Sequence, residues 1–210
     1  MVKPLLAPAE AAKVRSVIHR IYDLLAEREI NHEHLRDHFN RWLGVWMMPL
    51  PEFLSKNDRD LLLEYEGVLR VVSDRVRSTL GNEWDFLPKQ SFFRRHVGIT
   101  KHLPWHIDAD AAALGTGRAM NVWIPLDSVG TDRPSLELVS GSSVAMRKLP
   151  LIEEGERSRD DAFVRTVGPS FVPKLDLGDA VVFDSYTLHR TQQVTGESTR
   201  TACEFRFGAG

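Results

Sequence analysis

The chain has 210 residues, 42% of them hydrophobic and 27% charged, a size suited to one domain and a composition far from the depleted mixture of disordered chains. Its 27 Lys and Arg nearly cancel 29 Asp and Glu, so it lacks the positive field that collects nucleic-acid backbones or anionic lipid. One cysteine, Cys203, cannot form an internal disulfide, and with no apolar block at Met1 to Glu10 and no run of about eighteen apolar residues the expectation is a soluble cytoplasmic protein.

In chain order, Val14, Val17, Ile18, Ile21, Leu24 and Leu25 recur at helical spacing, which predicts a first amphipathic helix. A second helix is expected from Asn31 through Leu35, Phe39, Trp42 and Leu43 to a stop at Pro49-Leu50-Pro51. A third is expected from Asn57 or Asp58, carrying Leu62, Tyr65, Leu69, Val72 and Val76 to Gly81. Near Pro88 the period changes. Short segments rich in β-branched and aromatic residues follow, which predict strands near 91–97, 104–108, 120–126, 136–139, 163–167, 180–183, 189–194 and 200–207, with loops at 127–134 and 151–161. The reading is a single domain over 1–210, with 1–87 a mainly helical buttress and 88–210 a sandwich or barrel.

The chemistry-bearing residues lie in the second part. His106 and Asp108 are two apart on a predicted strand, so they share a face. His189 stands at the end of a short strand, eleven residues before Arg200, and an antiparallel barrel can bring it opposite the other two. Two imidazoles and a carboxylate on one face of a divalent metal leave the other face open, the arrangement of non-haem Fe(II) oxygenases. Arg200 is suited to pair both oxygens of a carboxylate if it faces inward with Ala202 and Glu204.

These residues resemble the Fe(II)/2-oxoglutarate dioxygenases, in particular the phytanoyl-CoA dioxygenase-like branch. The resemblance rests on Pro104-Trp-His-Ile-Asp108, Asn121-Val-Trp-Ile-Pro-Leu-Asp127, Leu136-Glu-Leu-Val-Ser-Gly-Ser142 and Leu177-Gly-Asp-Ala-Val-Val-Phe183, and covers Ser91 to Phe207. It implies an α+β protein with a double-stranded β-helix, a cupin-like jelly-roll barrel with N-terminal helices packed on one sheet. It implies that His106, Asp108 and His189 hold Fe(II), that Arg200 clamps the distal carboxylate of 2-oxoglutarate, and that O2 and a small-molecule substrate complete the reaction. The expected reaction is hydroxylation, or another oxidation, of a C–H bond with release of succinate and CO2. Thr191 matches a hydroxyl on the same carboxylate, Trp123 a ring bordering the co-substrate, and Arg95, with Arg94 as the competing alignment, a cation on the preceding strand.

The chain departs from the branch at Ser140-Gly141-Ser142-Ser143, where relatives often carry Pro-Gly-Ser-His, and at Ala202, where a Ser is common. Two other readings keep the barrel: a module that binds without turnover, and a cupin-like metalloenzyme without a keto acid. His34 and His38 are four apart, but Leu35 stands where a zinc-protease helix needs Glu, so a solvated helix face is the better account. His19, His32, His96 and His102 form no partner pattern. Cys203 falls opposite Arg200, beside Phe205 and Phe207, and reads as a buried thiol. Glu204 and Arg206 fall inside the barrel, as recognition of a polar substrate or as an internal ion pair.

Overall fold

The computed structural model describes residues 2–28, 43–97, 103–110, 118–151, 159–194 and 198–209. Two antiparallel sheets form a double-stranded β-helix. The larger consists of β1 (Val2–Pro4), β2 (Leu43–Trp46), β3 (Trp84–Phe86), β4 (Phe92–Val97), β5 (Ala119–Pro125), β8 (Asp179–Asp184) and β10 (Thr199–Ala209). Its order is β1-β8-β5-β10-β4-β2, and β3 joins β10 beyond the end of β4. The smaller is β6 (Leu136–Val139) between β7 (Ser170–Phe171) and β9 (His189–Thr191).

Alternation along the strands separates two cores. Val122, Ile124, Ala180, Val182, Cys203, Phe205 and Phe207 face the helices, whereas Trp123, Val181, Phe183 and Ala202 face Leu136 and Leu138 of the smaller sheet. Helix α1 (Pro8–Glu27) buries Val14, Val17, Ile18, Ile21 and Leu25 against the larger sheet. Helix α3 (Arg59–Leu80) starts where the Asp58 side chain accepts a hydrogen bond from the Leu61 amide. It ends at Gly81, whose φ of 119° suits glycine. Phe93 joins the layers: Tyr22 and Tyr65 meet its ring edge-on. None of the described helices is long and apolar enough to cross a membrane.

Several expectations require correction. Leu43 to Trp46 is strand β2, paired with β4, and not the end of a helix; the remainder of that expected helix, with His32, His34 and His38, lies outside the described residues. Pro49 and Pro51 open a helix instead of ending one: α2 (Leu50–Asn57) carries Pro51 in its first turn, where no backbone donor is required. The expected strand at 163–167 is helix α5 (Asp161–Val167), because Asp160 caps it by accepting from the Phe163 amide. The expected strand at 104–108 is reduced to isolated bridges at Trp105 and His106, and Asp108 begins a 3-10 turn through Asp110. The first 87 residues also give β1, β2 and β3 to the larger sheet, so helices and barrel are joined by backbone hydrogen bonds as well as by packing.

Candidate metal centre

His106 and His189 meet through the main chain. Their bridge is antiparallel, and β6 holds β9 on its other side with Leu138 opposite His189 and Leu136 opposite Thr191. Ser142, the first residue of α4 (Ser142–Met146), accepts from the Leu188 amide and so fixes the approach to His189. Both imidazoles are then oriented alike. His106 Nδ1 lies 2.8 Å from the Pro104 carbonyl and His189 Nδ1 2.9 Å from the Thr187 carbonyl. A carbonyl can only accept, so each Nδ1 carries the proton and each Nε2 offers its lone pair.

Those two Nε2 atoms converge on Asp108, at 3.8 Å from His106 to Oδ1 and 3.9 Å from His189 to Oδ2. One ligand atom from each of the three residues lies within 4.8 Å of the others. Burial, then the neighbouring His189, pushes the His106 imidazole down to about 4, and burial lowers His189 too. Burial alone would raise the Asp108 carboxyl. The Arg206 guanidinium and the two imidazoles outweigh it and hold that carboxyl below the ordinary range. Two neutral imidazoles and an ionised carboxylate are the protonation states that a divalent metal requires, so the donor set fits one.

The triad opens into a cavity of about 60 Å³ whose wall includes Arg94, Leu103, Leu136, Thr191, Arg200 and Glu204. Arg200 is buried, its guanidinium carbon lies 5.0 Å from the Trp123 ring centroid, and its Nε has no hydrogen-bond partner among the described residues. Burial, then the charge of Arg94, lowers its pKa to about 10. A buried guanidinium in that condition is a site for an anion.

The expected site residues thus fall in three groups. His106, Asp108, His189, Thr191 and Arg200 share one cavity. Trp123 lies behind Arg200 and not on the cavity wall. Arg95 is turned away: Phe92 and Arg94 occupy the inner face of β4, while Phe93 and Arg95 face α1, where Arg95 stacks 4.1 Å from Tyr22. The arginine of that strand on the cavity wall is therefore Arg94, and the reason is strand parity.

Asn121 was not singled out from the sequence. Its Nδ2 donates to Asp108 Oδ2, and its Oδ1 accepts from Arg206 Nε at 3.0 Å. The one signal that could have found it is its inward parity on β5, opposite Arg206 in the pairing with β10. Glu204 and Arg206 form the internal ion pair, at 3.0 Å.

A model of the family described as Phytanoyl-CoA dioxygenase (PhyH) matches residues 1–202. Among solved structures, EctD from S. alaskensis with 2-oxoglutarate and 5-hydroxyectoine superposes with a TM-score of 0.69 at 16% identity, over 100% of this chain and 71% of EctD. AviO1 from Streptomyces viridochromogenes Tue57 gives 0.65 at 18% identity, over 98% and 86%. SnoK, a non-haem α-ketoglutarate-dependent carbocyclase from nogalamycin biosynthesis, gives 0.62 at 16% identity, over 100% and 79%. At these identities the superpositions establish the fold. No curated protein matches the sequence.

Proposed function

The chain belongs to the phytanoyl-CoA dioxygenase family, and from that membership we propose that it is an Fe(II)- and 2-oxoglutarate-dependent oxygenase that oxidises an unactivated C–H bond of a small molecule, with release of succinate and CO2. The observation that carries the reading is the convergence of His106, Asp108 and His189 in the same cavity as the buried guanidinium of Arg200.

In this reading His106 and His189 hold the metal through Nε2 and Asp108 through a carboxylate oxygen. When bound, iron with its keto acid and O2 supplies the oxidising power that amino-acid side chains lack. The protein places and shields. Arg200 takes the distal carboxylate of 2-oxoglutarate, with its guanidinium over the Trp123 ring, and the Thr191 hydroxyl donates to the same carboxylate. Because Ala202 offers no hydroxyl, Thr191 carries that contact alone. The Phe183 ring packs against His189 at 4.8 Å between centroids and screens one side of the imidazole from water. A reducing compartment such as the cytoplasm suits both a ferrous site and the free thiol of Cys203. The near-balanced charge supports a small-molecule substrate over nucleic acid.

The experiment is anaerobic addition of Fe(II) and 2-oxoglutarate to the purified protein. A weak visible charge-transfer band is expected, absent from His106→Ala and Asp108→Ala. A wild-type protein without the band contradicts the reading.

A further inference from the structure

Two carboxylates, not one, face the cavity into which the triad opens. Asp108 is a member of the triad, and Glu204 lines the same cavity. One nitrogen stands between them: Arg206 Nη2 is 3.2 Å from Asp108 Oδ1 and 3.0 Å from Glu204 Oε1. The rest of that guanidinium is tied down. Its Nε donates to Asn121 Oδ1, its Nη1 donates to the Gln90 carbonyl, and its central carbon lies 5.1 Å from the Phe92 ring centroid. The Arg206 amide donates to Ser91 Oγ, which in turn donates to the Leu87 carbonyl. With Oδ1 of Asn121 so committed, its amide nitrogen faces Asp108.

The two imidazoles are oriented by carbonyls two residues before them. Among the described residues no sequence neighbour does the same for Asp108, which opens a 3-10 turn. Its side chain is set by arms reaching from β5 and β10. Glu204 is a second hard oxygen donor, of the kind that divalent metals accept, and a fourth protein ligand would occupy a position that the keto acid or O2 needs.

We propose that Arg206 is a positioning residue that keeps these carboxylates apart in role, holding Asp108 on the metal and Glu204 off it, so that three coordination positions stay open. The proposal rests on the reading of the triad as a metal site.

The test uses Co(II) alone, followed spectroscopically, and then 2-oxoglutarate, on wild type, Glu204→Gln, Arg206→Met and the double variant. Wild type and Glu204→Gln should bind both within about threefold of each other, whereas Arg206→Met should keep Co(II) but bind 2-oxoglutarate at least about tenfold more weakly, because a Glu204 released onto the metal occupies a position that the keto acid needs. Adding Glu204→Gln should restore keto-acid affinity, a rescue that a merely structural role of Arg206 does not give. The proposal is overturned if Arg206→Met binds 2-oxoglutarate like wild type, if its defect persists in the double variant, or if Glu204→Gln alone loses Co(II). Should Arg206→Met not fold, Arg206→Lys carries the same comparison, because the shorter lysine side chain leaves its ammonium short of the position that Nη2 occupies between the carboxylates. A wild-type protein that takes up no Co(II) contradicts the metal reading itself, and the proposal with it.

Discussion

His106 and His189 exchange backbone hydrogen bonds, each amide donating to the other's carbonyl at 3.0 Å, and their rings lie 4.3 Å apart between centroids. The bridge lies outside any named strand pairing, yet it brings the two imidazoles to one place. Because the link is made by main chain, a side-chain substitution can remove a ligand without dismantling the frame.

His189→Ala should therefore lower Mn(II) affinity at least about a hundredfold, beyond the usual effect of losing a mere partner of a ligand, while the far-UV circular dichroism stays as in wild type. Calorimetric titration with Mn(II), beside a spectrum of each variant, checks both halves.

Arg200→Ala should weaken 2-oxoglutarate binding about ten- to hundredfold, the worth of charge-assisted hydrogen bonds to a carboxylate, and leave Mn(II) affinity unchanged. Equal loss of metal and keto acid would argue against the clamp. Unchanged keto-acid binding would favour a metalloenzyme that uses none.

Arg95→Ala should act on stability alone. Its guanidinium lies over Tyr22, on the helix side of β4, so the change should cost about 0.5–2 kcal/mol, the range for a cation over an aromatic face, without altering 2-oxoglutarate affinity. Denaturant unfolding and a binding titration on the same variant separate the two effects.

Burial pushes the Cys203 thiol well above its ordinary value of 9.0. The thiol form is favoured by the fold, so its contribution to stability is complete below pH 9 and diminishes as the unfolded chain ionises above it. In the native protein the group should resist a thiol-specific reagent at pH 8 to 9 and react promptly in denaturant. Rapid native labelling at that pH would show that the packing against Phe205 and Phe207 is looser than described.

Where burial follows a simple period, the sequence is a sufficient guide. Val14 to Leu25 and Leu62 to Val76 trace helices because one stripe is apolar, and Arg200, Ala202, Glu204 and Arg206 fall inside because alternate residues of β10 face inward. Short segments defeat the same reasoning. Phe163 to Val167 has too few residues to tell a period of two from one of 3.6, and the Asp160 cap decides it. Pro49 and Pro51 mark a boundary equally well at either end of a helix. Asp108 joins His106 through a turn and not a strand, so the two side chains meet for a reason that alternation does not supply. Arg94 and Arg95 are neighbours, and only the register of β4 against β10 separates them. Alternation turns Asn121 and Arg206 inward but does not show that they meet Asp108, because the three come from distant parts of the chain.

Anaerobic crystals grown with Mn(II) and 2-oxoglutarate, with the metal located by its anomalous scattering, test the shared site most directly. The predicted result is one metal bonded to Nε2 of His106, Nε2 of His189 and a carboxylate oxygen of Asp108, with the far carboxylate of the keto acid on Arg200. A metal bound elsewhere, or a keto acid held away from Arg200, would contradict it.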